Sequence, residues 1–510
     1  MIGAHLPRLG TAMLGGFALL LVAMSWWQVV TAASLEARPD NPALIAAHRS
    51  EPRGTIFDTQ GTVLATTVVV DGIARRTYAS PASTHLLGYA SLRYGTSGIE
   101  SAWDELLVGL RDPNPLHDLV NDVFQLPPQP HDLVLTVDAR LQQFAAAQLA
   151  GSVGAVVAID PTTGAVLAMT SSPTFDATAI SGDPAQAEAP WNALLDDPGQ
   201  PFVDRARNGV YVPGSVMKVL TAAAALEAGV ITPSTTFPTQ PQEEVTGLAV
   251  SGFTIREHDL AGVQPALWNL SQSMQISSNI YFAHVGLELG QARYLEAAAD
   301  FGFCDEFRVG PPSNALRGAA SSVTALTDTG CADFVDDAEL ASAAFGQARV
   351  SVTPLQMALL AAIVANDGVM MEPYVVREVR VPDPSGTPGA VTATYGSPGR
   401  RTVVSPTTAQ QVRSVMVDAV HGPLGVPYAG AANVANYGIG GVQTAGKTGT
   451  AERGEGLPPH SWFIGFAAAQ PGATPSIAVA VIVEGAGPGS ASAAPIGGRV
   501  MAEWLRLIGS

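Results

Sequence analysis

The strand-forming segments of this 510-residue chain fall into two groups separated by a long helical region. Residues 156–159 and 165–170 are apolar runs joined by Asp-Pro-Thr-Thr-Gly, a pattern that predicts a β-hairpin. Residues from about 215 to 370 are mainly helical in pattern, and three more strands are predicted only near the C terminus, in VQTAGKTGTAERG, SWFIGFAAA and SIAVAVIVEGAG. The chain therefore predicts an α+β domain whose single antiparallel sheet is assembled from distant segments, with helices packed on it.

An uncharged apolar segment lies close to the N terminus. No charged residue occurs between Arg8 and Glu36, and the apolar part, residues 11–33, would form a helix of about 35 Å, enough to cross a bilayer. We predict a cytoplasmic tail over residues 1–9 and one transmembrane anchor over residues 10–34, with the remainder outside the cytoplasm. The alternative is a cleaved signal peptide, whose apolar region usually measures only about 7–15 residues.

The rest of the chain is predicted to form two domains. The proline-rich stretch NDVFQLPPQPHD marks a boundary between an accessory domain, residues 35–135, and a main domain, residues 136–510. A net charge of −18 argues against nucleic-acid binding, and we expect neither a metal site nor a cofactor, because no His/Cys cluster has ligand spacing. Outside the cytoplasm, Cys304 and Cys331 either form a disulfide or remain two buried thiols.

Only two of the 26 basic residues are lysines, Lys218 and Lys447. A buried lysine can lose its proton and act as a base, whereas arginine stays protonated in proteins. Ser215 precedes Lys218 by three residues, and the helical sequence that follows Pro213-Gly214 puts both side chains on one face of a first helical turn. This pair can supply a nucleophile and its base. A capping serine beside a surface lysine is the alternative.

Two further polar clusters are candidates for the same site. Lys447 lies in a predicted strand and precedes Thr448, Gly449 and Thr450, whose hydroxyls and small glycine suit the binding of a carboxylate. Its alternative is an exposed lysine on an edge strand. Ser277-Ser278-Asn279 lies at or near a helix start, where Ser277 could relay a proton and Asn279 could bind an amide, although simple N-capping explains the same residues.

In chain order, Ser-x-x-Lys, Ser-x-Asn and Lys-Thr-Gly resemble the motif set of penicillin-binding proteins and serine β-lactamases. The stretches EPRGTIFDTQGTVLA, SGIESAWDELLVG and KTGTAERGEGLPPHSWFIGFA further resemble class B penicillin-binding proteins, the monofunctional transpeptidases. The short N-terminal domain resembles the short actinobacterial penicillin-binding protein A group most closely. Two departures, Thr59-Gln60 for the commoner Arg-Asn and Ala348 for the second glycine of Gly-Gln-Gly, do not fall on a motif residue.

The resemblance implies a transpeptidase or serine β-lactamase-like domain, with an antiparallel five-stranded sheet flanked by helices, beside a pedestal- or dimerisation-like accessory domain. Ser215 would attack the penultimate D-alanine of a peptidoglycan stem peptide, and Lys218 would take its proton, with Lys447 as a second cation that lowers the pKa of Lys218. Ser277 would protonate the leaving amine and Asn279 would orient Lys218 and the substrate. The backbone N–H groups of Ser215 and Thr450 would form the oxyanion hole.

The resemblance also implies partners. They are D-Ala-D-Ala donor peptides, acceptor amines of neighbouring stem peptides, β-lactams as covalent inhibitors, and a SEDS-family glycosyltransferase in the membrane, which we expect residues 36–130 and the anchor to contact. Three alternatives remain: a β-lactamase, a β-lactam sensor of the same fold, and a catalytically silent cell-wall scaffold.

Overall fold

The computed structural model describes residues 6–27, 52–124, 126–258, 262–454, 456–470 and 472–509. Its first helix, α1 (Leu6–Ser25), covers much of the predicted membrane anchor, and residues 28–34 of that prediction lie outside the described residues. Searched over the described residues alone, no helix combines the length and the apolar character that crossing a membrane requires.

Two sheets organise the remainder of the described chain. Their strands are, in chain order, β1 (Ile56–Phe57), β2 (Val63–Val70), β3 (Ile73–Tyr78), β4 (Asp132–Leu135), β5 (Gly154–Ile159), β6 (Val166–Ser172), β7 (Val376–Pro382), β8 (Pro388–Thr394), β9 (Thr444–Ala451), β10 (His460–Ala468) and β11 (Pro475–Val483). One sheet has five strands in the order β9-β10-β11-β5-β6, and all neighbouring pairs are antiparallel. The prediction of an antiparallel sheet built from distant segments is confirmed, but it is not the single sheet of the predicted main domain, because β7 and β8 belong to the second sheet.

Helices cover both faces of this five-stranded sheet. Those that matter for the site and its support are α2 (Ala139–Gln148), α3 (Lys218–Glu227), α4 (Leu270–Ile276), α5 (Asn279–Leu289), α6 (Gln291–Asp300), α7 (Asp337–Ala343), α8 (Pro354–Ala365), α9 (Pro406–His421) and α10 (Ala493–Gly509). Alternate residues of β11 belong to different core clusters: Ala480 and Ile482 share one with α8, and Val479 and Val481 share the other with α2 and α10. Because successive side chains of a strand point to opposite faces, the sheet lies between two helical layers. Every residue of α8 is buried, as its apolar sequence requires.

The second sheet has six strands in the order β8-β7-β4-β1-β2-β3, and β1 and β4 form its parallel pair. The turn Thr59-Gln60-Gly61 lies between the antiparallel strands β1 and β2. The sheet joins strands from both sides of the predicted boundary after residue 135, since β7 and β8 come from the main domain. Ile56 and Trp103 also belong to the same core cluster as Val157 of the five-stranded sheet. The boundary itself stays a prediction.

The connection between α6 and α7 carries both cysteines. The structure pairs Cys304 with Cys331 in a disulfide, with their Cα atoms 5.0 Å apart, which decides between the two alternatives for these residues. The disulfide encloses a short antiparallel ladder between residues 307–309 and 316–318.

Candidate active site

The turn that carries Ser215 packs directly on strand β9. Ser215 lies in a 3₁₀ turn, Gly214–Met217, that leads into α3, so the predicted position at a helix start is confirmed, with a tighter first turn. Gly214 has a φ of +59°, and a Cβ there would come within 2.7 Å of the carbonyl oxygen of Thr450. A Cβ on Gly449 would come equally close to the carbonyl oxygen of Pro213. The two glycines therefore allow the nucleophile turn and the edge strand to approach each other backbone to backbone.

Lys218 is the centre of the hydrogen-bond network at this site. Its Nζ lies 2.9 Å from Ser215 Oγ and 2.9 Å from Asn279 Oδ1. The same nitrogen contacts Ser277 twice, at the backbone carbonyl and at Oγ, the latter at 3.2 Å. The three residues predicted to act with Lys218 are thus all within hydrogen-bonding distance of its amine.

Lys447 completes the cluster from the sheet side. It lies in β9, as predicted, and its Nζ donates to Ser277 Oγ at 2.8 Å and to the carbonyl of Thr448 at 3.1 Å. Both lysine side chains are fully buried, at 0% and 1% exposure. The alternatives of a surface lysine at position 218 and an exposed edge-strand lysine at position 447 are therefore wrong.

The burial of the two lysines determines their charge. Removal from water lowers the pKa of Lys218 to about 7, while the negative charge of Glu257 acts in the opposite direction. Burial, and then the charge of Lys218, lower the pKa of Lys447 well below its ordinary value. We expected Lys447 to lower the pKa of Lys218, but burial causes that shift, and the effect between the two amines appears at Lys447, whose pKa the charge of Lys218 lowers. Near neutral pH the amine of Lys218 can therefore be neutral and accept a proton.

Ser277, Ser278 and Asn279 form the junction between two helices. Ser277 ends α4 in the left-handed conformation, with φ of +62°. Ser278 is the N-cap of α5, where its hydroxyl accepts from Tyr281 N, and Asn279 is the first residue of that helix. The predicted helix start is confirmed. The capping role falls to Ser278 alone, which leaves the side chains of Ser277 and Asn279 directed at the lysines.

The residues predicted to bind a carboxylate follow Lys447 along β9. Thr448 and Gly449 are buried, whereas Thr450 is exposed and its Oγ1 accepts from Gly489 N at 3.3 Å. In the part of the chain that the structure describes, β9 is an edge strand, so its outer backbone faces the turn with Ser215. No group of three or more potential metal ligands occurs among the residues described.

Glu257 was not predicted from the sequence. Its side chain is only 3% exposed and accepts hydrogen bonds from Ser278 Oγ at 2.7 Å and from Asn279 N at 2.8 Å. Glu257 precedes the serine motif by about twenty residues. The only sequence signal is the charged stretch Arg256-Glu257-His258, which resembles an ordinary surface loop.

Comparison with known protein families identifies a match over most of the chain. Residues 154–502 match the family model described as the penicillin binding protein transpeptidase domain, which covers more than half of the chain. The chain belongs to the penicillin-binding protein transpeptidase family. Residues 53–129 of this family member also match a model described as the penicillin binding protein A dimerisation domain. The resemblance to the penicillin-binding protein A group is thereby confirmed.

Relatives of this family member align over nearly its whole length. It is 34% identical over 525 residues to the peptidoglycan D,D-transpeptidase PbpA of Mycolicibacterium smegmatis, with 99% of each chain covered. The ceftriaxone acyl-enzyme complex of penicillin-binding protein A from M. tuberculosis superposes with a TM-score of 0.75 and 32% identity, covering 89% of this chain and 98% of that one. The penicillin G acyl-enzyme of the same protein gives a TM-score of 0.72 at 32% identity, with 90% and 100% covered.

Proposed function

We propose that this protein is a peptidoglycan D,D-transpeptidase that crosslinks stem peptides through an acyl-enzyme on Ser215. The observation that carries the proposal is the 2.9 Å contact between Ser215 Oγ and the buried Lys218 amine, whose pKa is lowered to about 7. The full-length relative named as a D,D-transpeptidase and the solved β-lactam acyl-enzymes of a second relative support the same chemistry.

Acylation begins with a proton transfer from Ser215 to Lys218. Neutral Lys218 takes the hydroxyl proton while Oγ attacks the carbonyl carbon of the penultimate D-alanine, and the carbonyl electrons move onto its oxygen. We propose that the backbone N–H groups of Ser215 and Thr450 stabilise that oxygen, where one such donor typically contributes about a hundred- to thousandfold in rate. The close approach of Gly214 to Thr450 supports this assignment.

Collapse of the tetrahedral intermediate breaks the peptide bond. The proton on Lys218 passes through Ser277 Oγ, which contacts both lysines, to the departing nitrogen, and terminal D-alanine leaves. The amine of a neighbouring stem peptide then attacks the ester and forms the new amide, and Ser215 Oγ regains its proton. Asn279 Oδ1 holds Lys218 in position throughout.

Lys447, Thr448 and Thr450 are proposed to hold the terminal carboxylate of the donor, and Gly449 keeps the strand close to the nucleophile. Lys447 has a lowered pKa in the free protein because it is buried beside a second amine. A bound carboxylate would favour the charged form and raise that pKa again, so substrate and proton would bind together. This coupling would give the site its preference for a donor with a free terminal carboxylate.

We further propose that the protein is a single-pass membrane protein with its transpeptidase domain outside the cytoplasm. The uncharged run between Arg8 and Glu36 supports an anchor over residues 10–34. A SEDS-family glycosyltransferase would bind the anchor and residues 36–130. Co-purification with such a partner should be lost when both regions are replaced, and its survival would contradict the partnership.

The test of the enzymatic proposal uses the full-length protein and a fluorescent penicillin. We expect one long-lived adduct that peptide mapping by mass spectrometry assigns to Ser215 and that Ser215→Ala abolishes. An adduct that clears within seconds would indicate a β-lactamase instead. A protein that forms no adduct, or a Ser215→Ala strain that still grows normally, would favour a scaffold. Release of D-alanine from a pentapeptide donor in the presence of an acceptor amine then measures the transpeptidation directly.

A further inference from the structure

We propose that residues Arg256–His258 are a positioning segment for catalysis, in which Glu257 holds the Ser277-Ser278-Asn279 junction so that its polar groups face Lys218. The inference rests on the proposed acyl-enzyme function and adds residues outside the three family motifs. It concerns a stretch that follows the small antiparallel ladder of residues 248–250 and 253–255.

Each residue of the segment bonds a different part of the junction. Glu257 Oε2 accepts from Ser278 Oγ at 2.7 Å, and its Oε1 accepts from Asn279 N at 2.8 Å. His258 Nε2 lies 3.1 Å from the carbonyl of Ser277. The carbonyl of Arg256 accepts from Asn279 Nδ2 at 3.4 Å. Three consecutive residues thus fix three consecutive motif residues.

The contacts to Asn279 determine which way its side-chain amide faces. Its Nδ2 donates to Arg256, so its Oδ1 is left to accept from Lys218 Nζ at 2.9 Å. A rotated amide would direct its N–H groups at Lys218, and a protonated amine has no lone pair with which to accept a hydrogen bond from them. The segment therefore sets the hydrogen-bond polarity at the amine that acts as base.

The contacts to Ser277 hold a strained backbone. Ser277 has a φ of +62°, a conformation that non-glycine residues rarely adopt and that needs support from its surroundings. Its carbonyl oxygen contacts both His258 and Lys218. The left-handed turn directs this carbonyl at the base, and His258 Nε2, which also lies 3.0 Å from the carbonyl of Ile276, supports both ends of the turn.

A carboxylate suits this position better than a neutral side chain. Glu257 also accepts from Ile280 N at 3.2 Å, so three donors from the start of α5 converge on its two oxygens. Glutamine has one acceptor oxygen and would leave at least one of those donors unpaired. The negative charge also matches the partial positive charge at the N-terminus of α5.

The charged groups around the base come from several elements. Lys218 is on α3 and Lys447 on β9, while Glu257 and His258 lie in the segment, and Glu244 on the helix Gln240–Thr246 interacts with Glu257. Glu257 raises the pKa of Lys218 against the effect of burial. Removing its charge should therefore lower that pKa, so that Lys218 becomes deprotonated at a lower pH.

The experiment measures the acylation rate of the full-length protein by a fluorescent penicillin from about pH 5 to about pH 9, a range that brackets the titration of Lys218. Variants are Glu257→Gln, which removes the charge, Glu257→Asp, which keeps it, and Glu243→Gln as the matched control. Glu243 pairs with His284 at 2.6 Å and carries a comparable carboxylate on a neighbouring helix. Thermal unfolding of each variant is measured in parallel.

We expect Glu257→Gln to lose about ten- to hundredfold in acylation rate at high pH, the size of effect of losing hydrogen bonds to a charged group. The acid limb of its pH–rate profile, where the acylation rate falls at low pH, should move to lower pH by about half a unit or more. Glu257→Asp should keep the wild-type acid limb and recover part of the rate, and Glu243→Gln should match the wild type in both. A purely structural role would lower the folded fraction, and with it the rate, equally at every pH.

Two results would overturn the proposal. In the first, Glu257→Gln has the wild-type acylation rate and the wild-type acid limb. In the second, Glu257→Gln loses rate in proportion to its loss of folded protein, and its acid limb does not shift. If Glu257→Gln does not fold, His258→Gln takes its place, with a reduced rate expected and a wild-type rate contradicting the role of the segment. A wild-type protein that forms no Ser215 adduct would instead refute the proposed function, so the two failures are distinguishable.

Discussion

At the scale of single residues, the hydroxyl of Ser277 lies between the buried amines of Lys218 and Lys447 and can relay a proton. Ser277 Oγ lies 3.2 Å from Lys218 Nζ and 2.8 Å from Lys447 Nζ. With one amine neutral and the other charged, the hydroxyl can donate to the first and accept from the second. A proton can therefore move between the nucleophile side and the leaving-group side of the site without crossing water.

Replacing Lys218 by arginine tests the requirement for a neutral base. A guanidinium cannot lose its proton, so Lys218→Arg should lower the acylation rate by about a hundred- to ten-thousandfold. In the wild type, Lys218 is protonated below its pKa of about 7 and unprotonated above it, so the acylation rate should fall as the pH drops through 7. Rates with a fluorescent penicillin measure both effects. A wild-type rate that does not depend on pH between 6 and 8 would contradict this role for Lys218.

Ala348 should be replaceable by glycine with a gain in stability. Its φ is +62° and its side chain is exposed, so the residue bears left-handed strain without contributing a buried methyl group. Glycine adopts this conformation freely, and Ala348→Gly should raise the free energy of unfolding by about 0.5–1 kcal/mol. Denaturant unfolding measures the change. Gly346→Ala serves as the opposite control, because a Cβ there would lie 1.9 Å from the carbonyl of Gly214.

At the scale of helices and strands, the sequence predicted what local pattern controls. The hairpin β5-β6, the placement of Ser215 at a helix start and that of Lys447 in a strand followed from apolar runs, helical sequence and turn residues. The burial of Lys447 could not be predicted in this way, because it depends on the turn Gly214–Met217 packing on β9. Glu257 was missed for a similar reason, since its contact with Asn279 is created by tertiary folding alone.

The disulfide should stabilise the connection between α6 and α7. Cys304 and Cys331 are 27 residues apart, and closing a loop of that length contributes about 3–4 kcal/mol to the free energy of unfolding. The double variant Cys304→Ala/Cys331→Ala should lose that amount in chemical denaturation. Residues 305–330 contain none of the three motifs, so acylation of the folded variant should match the wild type. A slower acylation at full folding would show that this loop supports the site.

At the scale of the molecule, the two domains are expected to unfold together. The six-stranded sheet contains β1 to β4 from the accessory region and β7 and β8 from the main domain, and one core cluster extends through both. The sequence predicts a boundary after residue 135 but not this shared sheet, because strand pairing over more than 200 residues leaves no local pattern. The ion cluster of Arg53, Arg76 and Glu100 lies at the accessory end of that sheet.

Glu100→Gln should therefore impair penicillin binding from outside the penicillin-binding domain. Burial alone would raise the pKa of Glu100, but Arg76 and Arg53 outweigh it and hold that pKa below its ordinary value. Breaking such a buried pair costs about 3–5 kcal/mol, because Arg76 loses its carboxylate partner and Arg53 keeps only Asp104. We expect two thermal midpoints to fall together in Glu100→Gln. One is the midpoint of unfolding followed by circular dichroism, and the other is the midpoint for the loss of fluorescent-penicillin labelling after heating. Glu188→Gln, which breaks the exposed Arg93–Glu188 pair, should leave both nearly unchanged. Labelling that survives after the accessory region has unfolded would show that the domains are independent.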